Sequence, residues 1–148
     1  MNDSREKAKR WIEKLKITTD LFLKLPADAK LPNGWGKREI GIHLQGWDEE
    51  MIKIAEPLKQ GKAFIWEDFC ADPPDSYNAK FLERNKGKDA EEIISSFEKT
   101  RATMIKVYED FLDNYFQEDK KHSDYFSLWW HDVHHLKLAG VDVEDLME

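Results

Sequence analysis

The chain has very little cysteine: among its 148 residues only Cys70 carries a thiol. An internal disulfide framework is therefore excluded, and a thiol that is not needed for bridging fits a reducing compartment. Since no base is recognisable beside it in the sequence, Cys70 is interpreted as a packed side chain rather than a nucleophile.

Long hydrophobic runs and an excess of basic charge are also missing. No apolar run approaches the roughly 18 residues that a membrane-spanning helix requires, and the first 16 residues are charged throughout. The 23 Lys and Arg residues are outnumbered by 30 Asp and Glu residues, which gives a net charge of -7. Phosphate backbones attract basic surfaces, so nucleic acid is not an expected partner. The sequence predicts a cytoplasmic protein that binds neither membrane nor nucleic acid.

What is present is enough apolar material for one core. The composition is 41% hydrophobic and 12% aromatic, and the chain is too short for two comfortable domains, so a single domain over residues 1–148 is predicted. Apolar residues recur every three or four positions in four segments, which predicts four helices. These segments are 3–25, 37–60, 89–115 and 123–139. No segment is typical of a strand. The sequence predicts an all-α four-helix bundle with a long crossover between its second and third helices.

The crossover, residues 61–88, contains a clear break at 71–76 and one predicted short helix near 77–83. Connections of this length often cover a binding site or contribute to it, although this one could equally be a tether. Three positions in the predicted helices interrupt the pattern. Gly46 indicates close approach by a neighbouring helix or a ligand. Pro57 predicts a kink or an early end near residues 54–56. Arg101 marks either a polar pocket or a side chain that extends to the surface.

Three of the five histidines, His131, His134 and His135, lie within five residues of the fourth predicted helix. His131 and His135 are one turn apart and project about 40° from each other, while His134 projects about 60° to the other side of His131. Spacing alone therefore allows His131 to pair with either, or all three to be solvated or capping groups. His43 lies on the buried side of the second helix, where a lone histidine is usually a hydrogen-bonded core residue. If the two helices are neighbours, these imidazoles can meet.

Two segments resemble a known family. Residues 34–48, GWGKREIGIHLQGWD, and residues 131–136, HDVHHL, are similar to the motifs of the DinB/YfiT-like superfamily of four-helix bundles. That superfamily includes metal-dependent thiol transferases and isomerases and the related ClbS/DfsB-type proteins. The order of elements matches along nearly the whole chain. After Leu136 the chain departs from the commoner pattern, because Lys137 and Leu138 replace small and amide residues, and this bears on the subfamily and the substrate.

The resemblance implies a mononuclear divalent metal ion held by His43, His131 and His135. His134 then stands where the family commonly has an aromatic residue and faces away from the metal. Some ClbS-type relatives lack the three histidines, so their presence favours a metal-binding branch. The implied metal is zinc or nickel, with iron and copper also compatible with imidazole ligands. Asp132 would support a ligand histidine only if a neighbouring helix met it.

Three functions follow as hypotheses. The preferred one is an enzyme, a hydrolase or a thiol S-transferase, in which the metal activates water or a low-molecular-weight thiol against a small-molecule substrate. The alternative is a non-catalytic protein of the ClbS/DfsB type that sequesters a small molecule in an aromatic pocket. The candidate pocket residues are Trp35, Trp47, Trp66, Trp129 and Trp130. The third is a homodimer with Trp129 and Trp130 at its interface.

Overall fold

The computed structural model describes residues 3–70 and 72–147, and the regular secondary structure of these residues is helical apart from one isolated bridge between Lys30 and Gly36. The α-helices are α1 (Asp3–Leu23), α2 (Lys37–Lys59), α3 (Trp66–Phe69), α4 (Pro74–Arg84), α5 (Ala90–Asn114) and α6 (Trp129–Leu138). Short 3₁₀ turns span Glu118–Lys120, His122–Phe126 and Glu144–Leu146. The predicted all-α class is confirmed.

The two longest helices, α2 and α5, pack along each other, and α1 packs against both α5 and α6. Their apolar faces meet in one core, where the rings of Phe22 and Phe97 are in edge contact at 4.9 Å. Within the described ranges, no helix is both long enough and apolar enough to cross a membrane.

The starts of α2 and α5 follow from local hydrogen bonding. Asp89 caps α5: its carboxylate accepts the Glu92 amide at 2.9 Å, and Glu92 accepts the Asp89 amide at 3.4 Å. At α2, Glu39 accepts the amide of Gly36 at 2.9 Å. Both helices therefore lie within one or two residues of their predicted bounds. Of the two alternatives predicted at Pro57, a kink or an early end, the early end is wrong, because the helix continues through Pro57 to Lys59.

The fourth predicted helix, residues 123–139, is not continuous. Its first part is the 3₁₀ turn His122–Phe126, and α6 begins only at Trp129. The cause is tertiary. The Tyr125 carbonyl, which would bond within a continuous helix, accepts the Tyr108 hydroxyl at 2.9 Å, and the Tyr125 hydroxyl donates to the Met51 carbonyl at 2.6 Å. These bonds hold the turn against α5 and α2.

The segment between α2 and α5 carries two helices, α3 and α4, where the sequence predicted one. Helix α4 packs against α2, and Gly46 shows how closely they approach. A Cβ atom at Gly46 would lie 2.3 Å from Cδ2 of Phe81 on α4. Of the two readings of Gly46, close approach by a helix is the one that the structure shows.

Candidate metal centre

His43, His131 and His135 come together although 88 residues separate the first two along the chain. Nε2 of His43 lies 2.6 Å from Nε2 of His131, and one nitrogen from each of the three rings lies within 4.8 Å of the others. His43 is in the second turn of α2, and the other two are on α6. His134 is exposed and is not part of this cluster. The pair on α6 that meets His43 is therefore His131 with His135.

A buried ionic network joins the helices that carry these histidines. Arg101 on α5 donates to Asp48 at 2.8 and 3.1 Å and to Asp132 at 2.6 and 3.0 Å. Asp48 lies on α2, and Asp132 directly follows His131 on α6. Arg101 also donates to the Thr19 hydroxyl of α1 at 2.9 Å. The arginine that interrupts its apolar strip thus marks a buried polar cluster and fixes α2 and α6 relative to each other.

The network also accounts for Asp132. Its Oδ2 lies 2.6 Å from the Thr18 hydroxyl, and both of its oxygens accept from Arg101. A neighbouring helix does meet Asp132, and its observed partners are Arg101 and Thr18 rather than a ligand histidine. Two carboxylates share one guanidinium here, and burial raises the pKa of Asp48 to about 7 against the opposing effect of Arg101.

The cluster favours neutral imidazoles, which is the form that binds metals. Burial lowers the pKa of His43 to about 4, with a further decrease from His135 and a smaller opposing effect of the Asn78 side chain. Burial, together with His134, lowers the pKa of His135 to about 4. The pKa of His131 is well below its ordinary value because the side chain is buried beside the other two rings. All three are uncharged at neutral pH.

The donor set suits a transition-metal ion if the rings adjust. At a zinc–nitrogen distance of about 2.05 Å, two tetrahedral ligand nitrogens lie about 3.3 Å apart. The 2.6 Å contact of His43 with His131 would have to lengthen, and nitrogens as far as 4.8 Å apart would have to move closer. Three imidazoles suit zinc, nickel, iron or copper, and they leave coordination positions for an outside molecule.

Among the described residues, no hydrogen bond to Nδ1 orients the three imidazoles, and Trp35 packs against two of them. In the described part of the chain the Nδ1 atoms of His43, His131 and His135 are buried without a hydrogen-bond partner. Trp35 instead stacks on His135 at 6.4 Å and meets the edge of His43 at 5.3 Å. This tryptophan, one of the candidate pocket residues, lies directly against the cluster.

A cavity of about 330 Å³ lies beside the cluster, and His43 and His131 form part of its wall. Helix α2 supplies Trp47, and the segment between α2 and α5 supplies Trp66 and Asn78. Trp130 of α6 completes this side. The long connection therefore contributes to a cavity, whereas Trp129 is buried in the core against Trp11 at 6.0 Å.

Sequence reasoning missed Asp48 and Asn78. Asp48 had a usable signal, because it follows Leu44 by four positions and precedes Met51 by three, which places a carboxylate on the buried strip of α2. A carboxylate on the buried face of one helix and an arginine on the buried face of another are each evidence that the two form an ion pair. Asn78 has no such signal, since it lies in a short helix whose placement is decided by tertiary contacts.

Comparison of the chain with protein-family models, with curated proteins and with solved structures gives no significant match. The function is therefore argued from the geometry of the site.

Proposed function

We propose that this chain is a metal-dependent enzyme that holds a divalent transition-metal ion with His43, His131 and His135 and acts on a small molecule in the adjoining cavity. The observation that carries the proposal is the convergence of three imidazoles from two helices, two of which, His43 and His131, line that cavity. Structural zinc sites are usually closed by four protein ligands, whereas three ligands beside a cavity are typical of catalytic sites.

We further propose that the chain is a DinB/YfiT-like four-helix bundle. Helices α1, α2, α5 and α6 would form the bundle, and the segment with α3 and α4 would be its crossover. The contacts of α5 with α1 and α2, and of α1 with α6, support this arrangement. Helix α6 approaches α2 through the contact of His131 with His43, which would close the ring of four helices.

In the proposed enzyme the metal ion and the protein side chains have different roles. A bound divalent ion would lower the pKa of a water molecule or thiol and polarise a carbonyl, which are the requirements of a hydrolase or a thiol S-transferase. The neutral histidines would hold the ion, and Arg101 would keep α6 in register through Asp132. The apolar wall of Trp47 and Trp66 would exclude water from the reacting molecule.

Metal analysis tests the proposal directly. We expect about one transition-metal ion per chain in the purified protein and in His134→Ala, because His134 is exposed and outside the cluster. His43→Ala, His131→Ala and His135→Ala should lose most of it while keeping their helical circular dichroism. Native protein that neither contains nor takes up such an ion in a manner dependent on these three residues would overturn the assignment.

The second candidate is a ClbS/DfsB-type protein that binds a small molecule without turnover. The observation that favours it is the aromatic lining of the cavity, which can retain a ligand without chemistry. Turnover of a candidate substrate that disappears with chelator supports the enzyme, and binding without turnover in the metal-loaded protein supports the second candidate.

A homodimer is a separate proposal about assembly. Trp130 is exposed and its ring stacks on Trp129 at 4.5 Å, so an interface at this position would cover it. Light scattering of the native protein and of Trp130→Ala tests this, because a dimer formed there would dissociate in the variant.

A further inference from the structure

The cavity beside the histidines has a continuous aromatic wall. The ring of Trp66 lies 5.6 Å from Trp47 and 6.4 Å from Phe64, and Phe64 lies 5.8 Å from Tyr125. These residues belong to α2, to the following segment and to the turn before α6. Aromatic rings from three parts of the chain, inclined to their neighbours by 35°, 64° and 54°, therefore line one space and offer both faces and edges to an aromatic ligand.

Two polar groups of this wall are already used within the protein. The Trp47 indole N–H donates to Oδ1 of Asn78 at 3.2 Å, and the Tyr125 hydroxyl donates to the Met51 carbonyl at 2.6 Å. These bonds lock both rings in place, so a ligand meets mainly apolar surface. The other polar groups at the wall are the histidines, Asn78, Ser127 and the indole N–H groups of Trp66 and Trp130.

Charge is the second property of the cavity. None of the described residues that line it is an Asp, Glu, Lys or Arg. In the metal-free protein a charged ligand would lose hydration here without gaining an opposite charge from the wall, which is costly.

The size of the cavity limits the ligand. Its volume of about 330 Å³ lies at the lower end of the range of small-molecule sites, about 300 to 1,000 Å³, which suits a ligand of about two fused rings. Trp66 and Trp130 line the cavity and are also 38% and 43% exposed, so they lie where it meets solvent. Their exposed ring surfaces offer apolar contact to a ligand that enters from solvent.

We propose that the cavity binds a neutral, flat aromatic molecule of about ten non-hydrogen atoms, with its rings against Trp47 and Trp66 and with Trp130 at the entrance. That such a molecule is the substrate of the enzyme rests on the function proposed above. Its binding requires only the residues that line the cavity.

The test uses three probes that share one ring system and differ in charge: 2-naphthylmethanol, 2-naphthoate and 2-naphthylmethylammonium. Calorimetric titration into the full chain, after treatment with chelator, measures binding without any contribution from metal. We expect the neutral alcohol to bind at least tenfold more tightly than either ion. Trp66→Ala and Trp130→Ala should each weaken binding of the alcohol by about three- to tenfold, because each removes an aromatic contact.

Two matched variants control for general effects of surface substitution. Leu138 is 42% exposed and lies on α6 like Trp130, and Tyr115 is 39% exposed like Trp66, but neither lines the cavity. Leu138→Ala and Tyr115→Ala should leave the affinity for the alcohol unchanged. Circular dichroism checks that every variant is folded.

The proposal is overturned if the three probes bind equally, if an ion binds best, or if the control variants weaken binding as much as the tryptophan variants. Since the protein is metal-free in this experiment, the result is separate from the metal assignment. Normal metal uptake without binding of the alcohol would contradict the ligand class alone. Binding of the alcohol without metal uptake would support the ligand class and contradict the enzyme.

Discussion

The histidines differ in how many of their ring nitrogens have hydrogen-bond partners. Both ring nitrogens of His122 have partners: Nδ1 accepts the Gln117 amide at 3.0 Å, and Nε2 lies 2.8 Å from the Lys62 carbonyl. The Nδ1 atoms of the clustered histidines have none among the described residues. A histidine with both nitrogens bonded to the backbone is structural, and this separates His122 from the candidate ligands.

His122 predicts an acid-sensitive contribution to stability. Burial lowers its pKa, which the bond to the Lys62 carbonyl only partly offsets. The unfolded chain therefore binds more protons than the folded one as the pH falls below about 6.5, so acid favours unfolding. His122→Gln removes this titration and keeps one acceptor and one donor. In urea unfolding between pH 7.5 and 5, we expect the native protein to lose more stability than the variant.

If the free energies of unfolding of the two proteins ran parallel between pH 7.5 and 5, this account of His122 would be contradicted. A constant offset of that kind would reflect only the change of shape at that site.

At the scale of the helices, α6 is short, and its position depends on polar contacts as well as on apolar packing. The Arg101 network connects it to α1, α2 and α5 through Asp132. All of the charges are buried, so each depends on the others. Removing one partner of such a network leaves an uncompensated charge, whereas replacing the whole network can be nearly neutral.

Arg101→Met should therefore destabilise the protein by about 3 to 5 kcal/mol, because Asp48 and Asp132 would face each other without the guanidinium. The triple variant with Asp48→Asn and Asp132→Asn should recover much of this loss. Urea unfolding measures both. Arg10→Met, at an exposed position of α1, is the matched control and should change stability by less than about 0.5 kcal/mol.

If Arg101→Met were as stable as the native protein, the network could not be what holds α6 against α2. Apolar packing alone would then bring the three histidines together.

At the scale of the whole molecule, a metal ion bound by α2 and α6 would link parts of the chain that lie far apart in sequence. His43 and His131 are separated by 88 residues, so the complete ligand set exists only in the folded state. Such an ion stabilises the fold by mass action. The single domain predicted for residues 1–148 stays a prediction, and a single cooperative transition would support it.

Addition of zinc or nickel to the protein freed of metal by chelator, at about one hundred times the dissociation constant of the ion, should stabilise it by about 2.7 kcal/mol. For a chain of this length the corresponding rise in Tm is about 5 to 10 °C. Scanning calorimetry should show the shift in the native protein and in His134→Ala, and none in His43→Ala. An equal shift in His43→Ala would mean that the ion binds elsewhere.

Local interactions determined much of the secondary structure. The apolar periodicity of α1, α2 and α5, and the cap of α5 at Asp89, depend on residues only three or four positions apart. The same spacing placed both His134 and His135 within reach of His131. Sequence could therefore predict an all-α protein and two alternative ligand pairs, between which only the family resemblance chose.

Contacts between distant residues decided the rest. The interruption before α6 comes from the bond of Tyr108 to Tyr125, and Arg101 is explained by Asp48, 53 positions earlier. The cavity is formed by side chains from α2, α6 and the segment between α2 and α5. By itself the sequence determined which residues could be ligands or core. Only the tertiary structure decided that His43 meets His131 and His135, because packing of α1, α2, α5 and α6 sets those distances.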